Sequence, residues 1–373
     1  MLIKPIASYW RSIQRCLFPG FAEELGPTTD KHLEIMVVLD MVEIERFVCW
    51  QPPMSAGPGR PEFDRAALAR AFVGKAVLNL PSTKALIDRL KVDAVFRRVC
   101  GFDGKLPCEA TFSNAFSEFA EQGLPARVHE AVIRTQYEGK IVGHVSRDST
   151  EIEAREKCGP SHTETEPKVD KVKRKGGRPR KDAPPLPSSP KSLTRIERHA
   201  TMTLSEMLDD LPKQCNRGAK KDSHCNLNYW VGFKLHIDCG DGGVPLSCIM
   251  TSASLHDSQV AIALETMTSE RVVSLYSVMD SAYDAAPIRT YVESKGKVPI
   301  IDPNAKRNHS GVPLCPAKKE RYKERTTIER VHSELKDNLG ARQVRVKGHS
   351  KIFAHLMFGV LALTAERIIA TFT

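Results

Sequence analysis

The order of the elements that follow Gly139 constrains the fold of this chain more than any other feature of its sequence. Apolar runs, alternating patterns and turn residues predict these elements in order: a strand over 141–148, a hairpin pairing 228–238 with 244–252 around the turn at 240–243, a helix over 256–268, buried strands over 272–279 and 298–301, and a helix that begins near Lys318. Three antiparallel strands are thus followed by alternating helices and strands. This succession predicts an α/β fold, a mixed sheet with flanking helices.

The same order is the one that a ribonuclease H-like fold requires, and we assign residues 138–373 to such a domain. Earlier in the chain, residues 31–137 carry apolar residues at helical spacing, and the breaks fall at the N-capping residues Asp64, Ser82 and Asp93. Residues 1–137 are therefore expected to form an all-helical N-terminal domain. It could bind DNA ends or act as a packing and dimerisation module, and the sequence leaves both readings open.

A basic insert, residues 155–225, interrupts the second domain between its first and second predicted strands. Its centre, 167–191, is rich in Pro, Lys, Arg and Ser, a composition typical of disordered segments. Within it, Arg178 and Arg180 flank Pro179 in a pattern that resembles a minor-groove hook, in which extended backbone inserts arginines into narrow A·T-rich grooves. DNA contact by Arg178 and Arg180 is one interpretation, and a solvated basic linker is the other.

Bulk properties favour a polyanionic partner and a reducing compartment. The net charge of +10 is an argument for nucleic acid, although many basic proteins bind none. Cysteines are scattered without a Cys-x-x-Cys pair, and the loose group of Cys215, His224 and Cys225 lacks a second ligand pair, so loop cysteines are the favoured interpretation. The first twenty residues lack the continuous apolar core of a signal peptide. We therefore expect a cytoplasmic protein.

A second apolar stretch, residues 352–369, lies near the carboxyl end of the sequence. It contains His355, Glu366 and Arg367, which a membrane-spanning helix would have to bury in lipid. We therefore expect a core or partner-packing helix here and no membrane association.

Three carboxylates fall where the predicted sheet would bring them together. Asp148 ends the first strand, Asp280 follows the fourth, and Glu329 lies on the helix that crosses the same edge. Carboxylates at such short distances repel one another unless cations neutralise them. The three acids therefore predict a site for hard divalent ions, namely two Mg²⁺, for which Mn²⁺ is expected to substitute. Such a pair of ions suits phosphodiester chemistry. Any single Asp at a strand end is more often a turn former.

The helix around Glu329 strengthens this interpretation. At 100° per residue, Tyr322, Arg325, Glu329 and Lys336 fall within roughly a 60° arc of one helix face. Arginine and lysine are phosphate partners, and tyrosine offers a hydroxyl and a stacking surface. Glu334 points about 140° away from Glu329, so we reject it as a metal ligand. A charged surface helix would be the alternative, but it does not account for the tyrosine.

The spacing Tyr322-x2-Arg325-x3-Glu329-x6-Lys336 resembles the YREK pattern of a large group of insertion-sequence DDE transposases. Supporting similarities include SRDST around Asp148, GFKLHI from Gly232, LHDS at 255–258 and DSAYD from Asp280. The resemblance implies a ribonuclease H-like catalytic domain, with Asp148, Asp280 and Glu329 as metal ligands. It further implies that Tyr322, Arg325 and Lys336 hold phosphates near the cleaved end.

The resemblance also implies the partners, which are the terminal inverted repeats of the element and the target DNA, in a bacterial, nucleoid-associated setting. Bringing two ends together requires at least a homodimer on DNA. Some YREK transposases carry a large β-rich insertion before the glutamate helix; this chain has no room for it, so a DNA-hairpin intermediate is not implied. Two alternatives stay open: a nuclease of the same fold without strand transfer, and a repurposed DNA-binding protein.

Overall fold

The described residues before the first strand are mostly helical, as the sequence predicts. The computed structural model describes residues 28–48, 63–158, 193–221, 226–303 and 313–372. Its first helices are α1 Asp30–Val42, α2 Arg65–Val77, α3 Thr83–Val92, α4 Ala94–Cys100, α5 Glu109–Glu121 and α6 Leu124–Tyr137. The three predicted N-caps are confirmed: side chains of Asp64, Ser82 and Asp93 accept hydrogen bonds from backbone N–H groups in the first turns of α2, α3 and α4.

A mixed sheet follows, and its topology confirms the ribonuclease H-like α/β prediction. The strands are β1 Ile141–Glu153, β2 Asn216–Lys221, β3 Leu227–Cys239, β4 Pro245–Ser252, β5 Val273–Met279 and β6 Val298–Ile301. Their order is β2-β3-β1-β5-β6, with β4 also paired to β3. β3 runs antiparallel to β1, β2 and β4, whereas β1, β5 and β6 are parallel neighbours.

Two predictions about the sheet were wrong. β1 does not end at Asp148 but continues to Glu153, because its pairing with β3 runs without interruption to the match between Glu153 and Gly232. The basic insert also contributes regular structure: residues 193–221 include the short helices α7 Arg195–His199 and α8 Leu204–Asp210, as well as β2. The residues from 159 to 192, which hold Arg178 and Arg180, lie outside the described part, and so do His224 and Cys225.

Helices cover both faces of the sheet. They are α9 Ala261–Ser269, α10 Ala286–Ser294, α11 Pro316–Tyr322, α12 Thr326–Asn338 and α13 His349–Phe372. Adjacent residues of β1 contact different helices: Ser146 donates a hydrogen bond to the carbonyl of Glu324, just before α12, whereas Arg147 donates to the carbonyl of Ala261 in α9. Since successive side chains of a strand point to opposite faces, α9 and α12 lie on opposite sides of β1.

The last helix, α13, joins the helical region to the sheet. It packs against α2, α5 and α6 of the helical region and against β4 of the sheet. The stretch His349–Thr371 is long and apolar enough to span a membrane, but 78% of its most apolar window is buried inside the protein. This burial supports the prediction of a core helix. The boundary between the helical and catalytic domains near residue 137 stays a prediction.

Candidate active site

Two parallel neighbouring strands bring Asp148 and Asp280 to one edge of the sheet. The last matched pair of β1 and β5 joins Arg147 to Met279, and each acid is the next residue of its chain. Local hydrogen bonds orient the carboxylates: Asp148 accepts from the backbone N–H of Ser149 at 2.8 Å, and Asp280 from that of Ala282 at 2.9 Å. The predicted adjacency of the two strands is confirmed.

Helix α12 brings Glu329 to the same edge. The helix is amphipathic and buries Ile328, Val331 and Leu335, which fixes the face that it turns toward the sheet. Glu329 lies in its first turn, and 56% of its side chain is exposed. Its carboxylate faces solvent more than those of Asp148 and Asp280, which are partly buried.

One guanidinium group connects all three carboxylates. Arg325 approaches Asp148 at 3.3 Å and Asp280 at 3.7 Å through Nη2, and Glu329 at 2.7 Å through Nη1. Because Nη2 contacts both aspartates, their nearest oxygens lie within about 7 Å of each other, which two cations about 3.5 to 4 Å apart could bridge. The structure thus brings together the three acids and one of the three predicted phosphate partners.

The electrostatics of this edge show a shortage of positive charge. Burial raises the pKa of Asp148 to about 6; the neighbouring Asp280 raises it further, whereas the Ser149 N–H and the charges of Arg325 and Lys220 oppose the rise. For Arg325, burial acts to lower the pKa, but Asp148, Tyr322 and the other acids outweigh it and the pKa is raised. An additional cation would therefore be bound favourably here.

Comparison with known proteins identifies the family of this chain. A family model described as "Transposase DDE domain" matches residues 148–365, more than half of the chain, and the matched region contains Asp148, Asp280 and Glu329. The chain belongs to this family. It is a transposase, an enzyme that cuts and joins DNA. A second model, "Transposase domain (DUF772)", matches residues 22–118 in the helical region. No curated protein and no solved structure matches the chain.

DDE transposases generally use divalent metal ions, so the fit of this site to such ions matters. Three carboxylates supply the hard oxygen ligands that Mg²⁺ prefers, and the raised pKa of Asp148 marks a site that gains from added positive charge. Among the described residues, however, no group of three or more His, Cys, Asp or Glu side chains already has the arrangement of a metal site. The three carboxylates are thus suitable ligands for divalent metal ions. In this structure the guanidinium of Arg325 lies between them.

The remaining residues of the YREK pattern lie around this cluster in different settings. Tyr322 is half-buried at the end of α11, and burial raises its pKa against the opposing charge of Arg325, with smaller contributions from nearby aspartates such as Asp302. Lys336 of the transposase is paired with Glu151 of β1 at 2.5 Å and is 17% exposed. The expectation of one continuous α-helix was wrong, because a 3₁₀ turn, Lys323–Arg325, separates α11 from α12. Glu334, which we rejected as a ligand, pairs with Arg367 of α13.

A buried ion network beneath the site was missed by sequence reasoning. Arg147 binds both oxygens of Asp238 at 2.7 Å and one oxygen of Glu265 at 2.9 Å, and Lys297 completes the set by binding Glu265 at 2.7 Å. All four side chains are almost fully buried. The only local signal was a charged residue directly before Asp148 in SRDST, and its partners lie too far along the chain to be read from sequence.

Proposed function

We propose that this transposase cleaves the ends of an insertion sequence and joins them to target DNA, with Asp148, Asp280 and Glu329 holding two Mg²⁺ ions, for which Mn²⁺ substitutes. The observation that carries the proposal is that one guanidinium lies within 3.7 Å of three carboxylates contributed by β1, by the turn after β5 and by α12. Residues from three separate elements converge at the open edge of the sheet, where a long substrate can reach them.

Bound there, the metal ions would supply Lewis-acid activation of a nucleophile and stabilisation of the leaving oxygen. The reaction itself consists of two in-line displacements at phosphorus. In the first, the oxygen of a water molecule attacks and the element's 3′ oxygen leaves with a proton as a free hydroxyl. In the second, the oxygen of that hydroxyl attacks a target phosphodiester and forms a new P–O bond. The bond from phosphorus to the target's own 3′ oxygen breaks, and this oxygen leaves with the proton. The same site serves both steps.

The protein's own residues would position the DNA. Arg325 already faces the acids, so a small change of its side chain would let it grip a phosphate with two N–H groups. Lys336 offers a second cation farther along α12, and Tyr322 offers a hydroxyl and an aromatic surface before it. With these roles for Tyr322, Arg325 and Lys336, we propose that the chain belongs to the YREK group of DDE transposases. The partners are then the terminal inverted repeats and target DNA, and synapsis of two ends requires a homodimer on DNA. We further propose that the protein acts in the bacterial cytoplasm, in association with the nucleoid.

The test separates metal ligands from phosphate contacts on one helix. We expect Asp280→Ala to bind end DNA and fail to cleave it, and Glu329→Gln to keep DNA affinity while losing Mn²⁺, because an amide lacks the charge. Lys336→Ala is expected to lose end affinity and keep Mn²⁺ binding. Glu334→Gln is the matched control, since it lies on the same helix but pairs with α13. It should cleave normally.

Three outcomes would contradict the proposal or one of its parts. Equal loss of DNA binding and cleavage in Asp280→Ala would make this residue a structural one. Cleavage without any joined products in an integration assay would favour a nuclease of the same fold. Unchanged DNA affinity in Lys336→Ala would remove the basis for assigning the chain to the YREK group.

A further inference from the structure

β2 and the first half of β3 form a two-stranded ribbon that leaves the main sheet. Residues 227–231 of β3 pair with β2, whereas the matched pairs between β3 and β1 begin only at Gly232. Gly232 has φ +155°, and a β-carbon there would lie 2.1 Å from the carbonyl oxygen of Ile152. The ribbon therefore begins at a position that only glycine can occupy without displacing β1.

The ribbon is a built structure with a packed base. Trp230 is buried, and its indole N–H donates to the carbonyl of Phe233 at 3.2 Å. The ring lies against the backbone of Gly218 in β2, where a β-carbon would meet it at 2.3 Å. Asn216, at the start of β2, donates to the hydroxyl of Ser254 at 3.2 Å. These contacts hold the ribbon in one orientation relative to the sheet.

The outer part of the ribbon presents basic and aromatic side chains to solvent. Arg217 and Lys220 are exposed, and Tyr229 is 63% exposed although its neighbour Trp230 is buried. In the register of the ribbon, Tyr229 is matched with Ala219 and Lys220 with Asn228, so Tyr229 and Lys220 lie on opposite faces. A partner would have to contact both faces of a narrow, positively charged ribbon.

The ribbon also faces the candidate active site. The ammonium of Lys220 acts electrostatically on the carboxyls of Asp148 and Glu151 and on the ring of His332 in α12. Lys220 is therefore close to the edge at which Asp148 and Lys336 lie. DNA bound at the three acids would therefore lie within reach of Lys220 on this ribbon.

A two-stranded ribbon has the width that the major groove of B-DNA admits. Cations on its flanks can reach the phosphates on either side, and a tyrosine can contact base edges. We propose that the ribbon of β2 and residues 227–231 inserts into the DNA groove beside the cleaved bond, with Arg217 and Lys220 on phosphates and Tyr229 on the bases. This inference rests on the proposed function, since it assumes that DNA is the substrate of the neighbouring acids.

The salt dependence of DNA binding tests the ribbon directly. The probe is a fluorescein-labelled duplex of random sequence, titrated by anisotropy over a series of KCl concentrations with the full-length protein. Each lost phosphate contact lowers the slope of log Kd against log salt by about 0.9, so the double variant Arg217→Ala, Lys220→Ala should lower it by about 1.8. Tyr229→Ala should weaken affinity about tenfold without changing the slope, and Tyr229→Phe should restore most of it.

A matched control lies at the opposite end of the sheet. Lys140 precedes β1 and Lys295 precedes β6, so the double variant Lys140→Ala, Lys295→Ala removes the same charge far from Asp148 and Asp280. It should leave the slope unchanged. If both double variants lower the slope equally, or neither does, the ribbon proposal fails while the proposed function stands. If the wild-type protein shows no salt-dependent duplex binding, the proposed function fails as well.

Discussion

Lys75 is a buried ammonium group in the core that joins α2 to α13, and removing its charge should stabilise the protein. The residue is 8% exposed, and its Nζ lies 3.5 Å from Nδ1 of His355. Burial lowers the pKa of His355 to about 3, so the ring is neutral and accepts a hydrogen bond without compensating the charge. Burial likewise lowers the pKa of Lys75 from 10.5 to about 8. We predict that Lys75→Met raises the free energy of unfolding.

The magnitude follows from the pKa. A fall from 10.5 to about 8 corresponds to about 3 kcal/mol of lost stability, at about 1.4 kcal/mol per pH unit. Methionine retains the apolar stem but loses the hydrogen bond to His355, which costs about 1 kcal/mol. The expected net gain is about 2 kcal/mol at pH 7. Because the unfolded chain keeps the proton up to about pH 10.5 and the folded protein only to about pH 8, the penalty is complete below pH 8 and disappears toward pH 10.5.

Urea unfolding followed by tryptophan fluorescence at pH 7 and pH 10 measures both effects. The variant should be more stable at pH 7, and its advantage should shrink at pH 10. Lys91→Met is the matched control, because the Lys91 side chain on α3 is 61% exposed and its removal should change little at either pH. No gain at pH 7, or an equal gain at both pH values, would refute the argument that desolvation of the ammonium is the dominant cost.

Three further predictions concern other charged groups. Arg325→Ala should tighten Mn²⁺ binding to the DNA-free protein about tenfold in an electron paramagnetic resonance titration, since a competing cation is lost; weaker binding would contradict this. Arg147→Met should lower the free energy of unfolding by about 3 to 5 kcal/mol in urea, because Asp238 would stay buried without its cation; a loss below about 1 kcal/mol would show that the network is not needed. Burial, and then the nearby Glu34, raise the pKa of Glu366 from 4.5 to about 8, so stability is lost as pH rises through that range. Glu366→Gln should therefore raise Tm more at pH 9 than at pH 5, and an equal rise would be inconsistent with this titration.

Local signals predicted the parts of the fold that local interactions determine. The hairpin of β3 and β4 follows from the glycine turn between them, and β6 was predicted at its observed bounds. The N-caps were found because an Asp or Ser side chain needs only its own helix to accept a hydrogen bond. In these places the sequence holds all the interacting groups within a few residues.

The rest of the fold depends on partners distant in sequence. The second half of β1 is polar, so its pattern reads as the end of a strand, yet it is held by pairing with β3 about eighty residues later. β2, with the sequence NRGAKK, has no apolar alternation and is defined by Trp230 packing over Gly218. The 3₁₀ turn before α12 contains neither Gly nor Pro, so nothing in the sequence marks the break. Lys220 lies near Asp148 only because β1 extends past Asp148 and because β2 pairs with β3. Neither feature could be read from the sequence, so this proximity could not be predicted.

The two faces of β1 balance charge in different ways, and the difference bears on function. On the face toward α9, Arg147 and Lys297 are matched by Asp238 and Glu265, and the set is closed to solvent. Such a balanced set holds the strand in place and has no capacity to bind a further ion.

On the face toward α12, a single guanidinium serves three carboxylates, so two negative charges are left without a partner in that cluster. Burial of the Asp148 carboxylate, and to a smaller extent its repulsion from Asp280, costs stability, as the raised pKa of Asp148 shows. Without cations, the excess negative charge at the acids opposes the approach of a DNA phosphate to this edge, because like charges repel. Metal uptake and DNA docking should therefore be coupled: ions that neutralise the acids also release Arg325 to meet the phosphate. This coupling is possible because the acids carry excess negative charge on one face of β1, while the charge-neutral network on the other face holds the strand in place.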